Sequence, residues 1–149
     1  MLPLRPTSTG RITLRSSDPY DHPVIDANYL ATEKDRRDAV TCVREAREIG
    51  EADALAPYRE REVRPGPDVQ SDEEILEFVR ETTDTGYHPC GTCKMGQDEM
   101  AVVDDDLRVH GLEGLRVIDA SIMPNVPSGN TNAPTIAIAE RGAAILKGD

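Results

Sequence analysis

Apolar and polar residues alternate from Gly10 to Ser16, with Ile12 and Leu14 set between Arg11, Thr13 and Arg15. That period of two predicts a half-buried β-strand. Asp18-Pro19 ends it, because proline lacks an amide proton and biases its predecessor away from helix. Val24-Ile25 is a second short apolar stretch, followed by Asn28-Tyr29-Leu30. From Thr32 the period lengthens: Ala39, Cys42, Ala46 and Ile49 recur three and four residues apart. This spacing predicts a helix capped by Thr32 and closed by a left-handed Gly50. Pro57, Pro65, Gly66 and Pro67 mark residues 57–70 as an irregular excursion. Ser71-Asp72-Glu73-Glu74 then has the spacing of a capping box, opening a helix that buries Ile75, Phe78 and Val79.

Beyond this helix the apolar runs are shorter. His88 to Gly96 reads as a loop or short strand, and Val102-Val103 with Leu107-Arg108-Val109 predicts a hairpin through Asp104-Asp105-Asp106. Leu115-Arg116-Val117-Ile118 is β-prone and is followed by a loop from Asp119 to Asn132. The last helix is predicted over Ala133 to Lys147. It is apolar or small on nearly every side as far as Ala139, the pattern of a buried helix. There are no internal repeats and no low-complexity linker, and the mixture of strands and helices predicts an α+β fold.

Composition narrows the picture. Hydrophobic residues are 38% of the chain but aromatics only 3%, so its core must be aliphatic. The 17 basic residues face 28 acidic ones, a net charge of −11 that repels nucleic-acid phosphates and anionic lipid head groups. No apolar run approaches the ~20 residues that span a bilayer, and Met1 to Gly10 has no apolar core of a signal peptide. Three cysteines, an odd number, argue against a disulfide framework and for a reducing compartment.

Two clusters carry candidate chemistry: Tyr87-His88-Pro89-Cys90-Gly91-Thr92-Cys93-Lys94-Met95-Gly96, and Gly114 to Pro124 continuing into Ser128-Gly129-Asn130-Thr131-Asn132-Ala133-Pro134-Thr135. Cys90 and Cys93 form a C-x-x-C, readable as a dithiol pair or as half of a metal site with His88 and His110. No second C-x-x-C accompanies it, and no helical pattern follows it, so two half-buried thiols in a tight loop are the simpler reading. His22 and His110 read as structural histidines, and His88 taken alone would too. Asn130 and Asn132 suit turns and caps, and Asn132 is placed to cap the last helix, with Pro134 in its first turn. A helix start after such a loop also favours negative charge, because its free amides and dipole point there.

In their order, the two clusters resemble the C-terminal signatures of the glucose–methanol–choline oxidoreductase family. His88, Gly91, Thr92, Met95 and Gly96 match the first motif; Gly114 to Ser121 and Pro124 the second; Asn130 and Asn132 the third. Ser16, Asp18-Pro19, Pro23, Asp26 and Tyr29-Leu30 resemble the family's substrate-domain segment, so the likeness covers nearly the whole chain. The resemblance implies FAD as cofactor and a primary alcohol as small-molecule substrate, oxidised by hydride transfer to flavin N5. It implies His88 as the catalytic base, a task that suits a side chain class titrating near neutral pH. Asn132 would be its catalytic partner. Asp119, Ala120, Asn132 and Ala133 would approach the flavin, with the start of the last helix facing the pyrimidine carbonyl. His88 to Gly96 looks most like the choline-oxidising members, whereas Gly129 to Thr135 is equally at home among aliphatic-alcohol members.

The resemblance further implies an antiparallel substrate-domain sheet with helices on one face, plus the last strand and helix of a flavin domain. Residues 1–96 would belong to the first part and residues 97–149 to the second. None of the 11 glycines forms a G-x-G, so the fingerprint that grips the ADP half of FAD is absent from these residues. The chain is therefore expected to be part of a longer protein, inactive and unable to retain FAD alone, with its apolar last helix favouring self-association. A cytoplasmic location is expected, with membrane contact only through an electron-transfer partner; the acceptor stays open between oxygen and a respiratory chain. Two readings from other classes stand beside this one. They are a small metal- or thiol-binding module built on Cys90, Cys93, His88 and His110, and a docking domain without catalysis.

Overall fold

The computed structural model describes residues 3–148. The chain divides between Gly86 and Tyr87 into two compact units. In the first, β1 (Arg11–Thr13) pairs antiparallel with β2 (Val24–Asp26), with Ile12 opposite Ile25. The predicted strand at Gly10 to Ser16 is therefore present but shorter. It is not half-buried: Ile12 is 52% and Ile25 69% exposed. The reason is that this two-stranded ribbon packs on neither helix of its unit, so the expected layer of helices on one face of a sheet is not formed within it.

Helix α1 (Glu33–Glu51) starts where the pattern placed it. Thr32 is extended and its side chain accepts from the amide of Asp35. The helix runs through Gly50 and ends as Ala52 turns extended, so Gly50 is helical rather than left-handed. A 3-10 turn over Asp53–Tyr58 follows. Helix α2 (Asp72–Thr82) has the complete capping box, with Glu74 Oε2 accepting from the Ser71 amide at 2.9 Å.

The core of this unit forms where α1 and α2 pack together. Ala39, Val40, Ile75 and Val79 are buried, with Ile75 fully enclosed, and Val43, Val69, Leu76 and Phe78 lie against them. The buried stripe of α1 thus differs from the predicted one, since Ala46 and Ile49 are exposed. Helix α2 covers only the stripe centred on Ala39 and Val40. Farther along α1, Arg47 holds the irregular segment, pairing with Glu62 at 2.8 Å and donating to the carbonyls of Gly66 and Val69 at 3.1 and 2.7 Å.

The second unit is built from bridges rather than regular strands. Val103 pairs with Val109 across the acidic turn, Arg108 with Arg116, and Met95 with Val103. Asp104 Oδ1 closes the turn, accepting from the amides of Asp106 and Arg108 at 2.9 and 2.8 Å. The predicted strand at Leu115 to Ile118 is reduced to that single bridge, hemmed in by turns at Gly111 and Gly114. A 3-10 turn over Ala120–Ile122, not foreseen in the sequence, interrupts the next loop. Helix α3 (Asn132–Lys147) ends with Gly148 in the left-handed region.

Val103, Leu107 and Ile122 form the core of this unit, joined by Met95, Val117, Ile118, Ile138 and Ile145. α3 meets that core along one line, where a Cβ on Gly142 would come within 2.4 Å of Ile118 Cγ2. Glycine costs about 1 kcal/mol in a helix interior, and here it permits the close approach. The rest of α3 is open, with Ile136 55% exposed, so the expected burial on nearly every side is not what this chain alone provides. No helix among the described residues is long and apolar enough to cross a membrane.

One buried carboxylate organises the start of α1. Asp35 is 4% exposed and receives the amides of Thr7 and Ser8 at 2.8 and 2.7 Å and the Thr7 hydroxyl at 3.0 Å. Burial alone would raise its pKa. The hydrogen bonds from Ser8 and Thr7 outweigh that effect and hold it well below the ordinary carboxylate range. The depressed value means a stabilisation complete above the unfolded-state pKa of about 4 and lost as pH falls below it. Asp35→Asn should lower unfolding free energy by about 1.5–3 kcal/mol at pH 7, the scale of hydrogen bonds to a charged group. In urea titrations followed by circular dichroism, the gap between variant and parent should narrow at pH 3.

Candidate functional site

The site residues named from the sequence all lie in the second unit. The segment carrying His88 is held on two sides. Cys93 and Met95 donate their amides to the carbonyls of Ser121 and Ile122 at 3.0 and 2.8 Å. On the other side, Gly96 donates to Val103 at 3.1 Å and Val102 to Lys94 at 2.9 Å. Gly91 (φ +88°) turns the chain toward Met123, whose carbonyl oxygen would lie 3.3 Å from any Cβ at that position. A left-handed residue packed against a carbonyl is most easily a glycine.

His88 is half-buried, and its Nδ1 lies 3.1 Å from Thr131 Oγ1, a contact between residues 43 positions apart. Asn132 comes next along the chain and is exposed. It does not cap α3 as expected: Thr131 holds the N-cap position and Asn132 is already the first helical residue. Asn132 and Ala133 precede the first intrahelical bond, from the Thr135 amide to the Thr131 carbonyl at 3.0 Å. No acidic residue occupies the first turn, so the positive end of the helix dipole is not neutralised there. Asp119 caps the 3-10 turn, its Oδ1 accepting from the amide of Ser121 at 2.8 Å and from that residue's hydroxyl. Ala120, inside the same turn, is half-buried.

The remaining candidates have local partners. His110 Nε2 donates to the Gly96 carbonyl at 3.0 Å, tying the acidic hairpin to the end of the His88 segment. Cys90 and Cys93 are half-buried free thiols. Among the described residues, no three His, Cys, Asp or Glu side chains are grouped so that they could hold a metal ion. Thr131 is the functional candidate that sequence reasoning missed. Its position between Asn130 and Asn132 was visible, but its pairing with His88 is a tertiary contact with no local signal.

A family model described as GMC oxidoreductase matches residues 6–139, and the chain belongs to this glucose–methanol–choline family. It is 57% identical over 148 residues to the mitochondrial choline dehydrogenase of Homo sapiens, covering 98% of this chain and 25% of that protein. It is 55% identical over 145 residues to the oxygen-dependent choline dehydrogenase of Proteus mirabilis, covering 97% of this chain and 26% of that one. The fold matches pyridoxine 4-oxidase from Mesorbium loti with a TM-score of 0.92 at 41% identity, over 98% of this chain and 28% of that chain. It matches a fungal aryl-alcohol oxidase with a TM-score of 0.88 at 36% identity, over 96% of this chain and 24% of that chain. The chain therefore spans about a quarter of the length of the curated relatives it matches.

Burial raises the pKa of the Cys90 thiol, which favours the protonated, less nucleophilic form at neutral pH. Iodoacetamide should modify Cys90 more slowly at pH 7 than it modifies a cysteine in a short peptide. Peptide mass spectrometry across a pH series should show the rate rising only above the ordinary thiol range. Elemental analysis of protein purified without added metal should give well under one zinc per chain; a full equivalent would revive the Cys90–Cys93 metal reading.

Proposed function

We propose that this chain forms the C-terminal, alcohol-facing part of an FAD-dependent oxidoreductase that oxidises a primary alcohol, with choline the favoured substrate. The observation that carries the reading is the pairing of His88 with Thr131 immediately before Asn132, at the open start of α3. The same elements support the fit of the flavin ring. Amides at the positive end of a helix favour a polarised carbonyl oxygen, and Asn132, Ala133, Asp119 and Ala120 would hold that end of the cofactor. The adenosine and pyrophosphate end finds no G-x-G among these residues and would be held by another part of the protein.

When bound, FAD supplies the acceptor at flavin N5 for the hydride leaving the alcohol carbon. His88 takes the hydroxyl proton as that hydride leaves, and the Asn132 carboxamide orients the substrate oxygen. Choline is favoured over a neutral aliphatic alcohol by the names of the relatives and by the acidic balance of the chain. A net charge of −11 attracts a quaternary ammonium group.

In this reading, residues 1–96 belong to the substrate-binding part and residues 97–149 complete the flavin domain and active site. Strands β1 and β2 would be part of a larger antiparallel sheet carrying helices on one face, which accounts for the exposure of Ile12 and Ile25. Leu115 to Ile118 and α3 would be the last strand and helix of the flavin domain. The open apolar surface of α3 would be covered there, and in the isolated chain it favours self-association.

His88→Ala in the intact flavin-loaded enzyme should lower choline turnover by about two to four orders of magnitude, the usual scale of general-base catalysis. Near-normal turnover would remove His88 from the chemistry. The 149-residue chain purified alone should show no flavin absorbance and no alcohol oxidation with an artificial acceptor. Losing the phosphate-binding half removes several charge-assisted hydrogen bonds of about 1.5–3 kcal/mol each, and each 1.4 kcal/mol is about tenfold in affinity. A yellow chain with stoichiometric FAD would contradict this account.

A further inference from the structure

Resting on the reading of His88 as the base, we infer that Thr131 is a positioning residue that selects the tautomer in which His88 acts. Its hydroxyl oxygen accepts a hydrogen bond from His88 Nδ1–H, which leaves the lone pair on Nε2 to receive the alcohol proton.

The first observation is the 3.1 Å contact between His88 Nδ1 and Thr131 Oγ1. The second is what Thr131 gives up to make it. At the other two α-helix starts among the described residues the hydroxyl residue is an ordinary cap. Thr32 and Ser71 are extended, and their side chains accept from the amides of Asp35 and Glu74. Thr131 occupies the same position at α3, yet its backbone is already helical (φ −76°, ψ −8°) and its side chain makes no cap bond. The hydroxyl is diverted from the helix to the histidine.

The backbone beneath that hydroxyl is also fixed. The Thr131 carbonyl accepts from the amide of Thr135 at 3.0 Å and from the Thr135 hydroxyl at 2.6 Å. A β-branched side chain on an anchored backbone has few rotamers, so Oγ1 is presented to the imidazole in a set direction. The direction of the bond follows from the chemistry. Were the hydroxyl to donate to Nδ1, the neutral ring would carry its proton on Nε2 and have no free lone pair. With Nδ1–H as donor, Nε2 is bare, and the ring is held in the form that accepts a proton.

The test is made on the intact flavin-loaded protein labelled with 15N-histidine. The nitrogen resonances are read at a pH where the imidazoles are neutral, and His88 is assigned by its loss in His88→Gln. The parent should show His88 protonated at Nδ1. Thr131→Val should move the proton to Nε2, the commoner tautomer, while Thr131→Ser keeps it on Nδ1. In parallel, Thr131→Val should lower kcat by about 10- to 100-fold, by analogy with the loss seen when the outer partner of a metal-ligating histidine is removed. Its KM should change little, and Thr131→Ser should recover most of kcat. A parent His88 protonated at Nε2, or a Thr131→Val variant with unchanged tautomer and kcat, would overturn the inference. Loss of the base role itself would read differently: His88→Gln would keep its turnover whatever the tautomer of the parent.

Discussion

Cys93 and Met95 donate their amides to the carbonyls of Ser121 and Ile122, and the rest of the second unit depends on that short seam. It binds the His88 segment to the 3-10 turn, although the two are far apart in sequence. Ile122, in the seam itself, is buried with Val103 and Leu107. Burying such a side chain contributes on the order of 1.5–3 kcal/mol. The seam therefore sits on the aliphatic core rather than at a loose edge. The chain that leaves it leads to the start of α3, so the histidine and the helix start are both positioned by the same few buried residues.

The start of α3 meets two demands that a single hydroxyl cannot serve together. A helix N-terminus exposes amides that a threonine normally satisfies, and an orienting partner for an imidazole needs that same oxygen. The chain leaves the amides open. Farther along the helix, glycine replaces any larger residue at position 142, where the backbone closes on Ile118. Both choices weaken α3 as an isolated helix. Its placement therefore relies on tertiary packing through Ile138 and Ile145 rather than on local propensity.

Local signals were legible and nonlocal ones were not. Thr32 and the Ser71–Glu74 pair could be read directly, because a cap is decided within four residues. The ends of α1 and its buried stripe could not. Gly50 carries no mark separating a helical from a left-handed glycine, and only the position of α2 selects Ala39 and Val40 over Ala46 and Ile49. The apolar runs at Val102, Leu107 and Leu115 were visible, but their collapse into single bridges depends on the turns between them. For the candidate site, motif order brought His88 and Asn132 to notice, whereas Thr131 emerged only from the fold.

The carboxylate of Asp35 reaches back 28 positions to the amide of Thr7. Thr7 and Ser8 lie outside every helix and strand, where amides ordinarily exchange with solvent deuterium as fast as the loop fluctuates. Here their protons end on a charged group enclosed by the first turn of α1. To exchange, each must first break its bond to Asp35. An isotope-exchange map of the first unit would therefore set these two amides apart from the loop amides beside them, slowed by a carboxylate far along the chain.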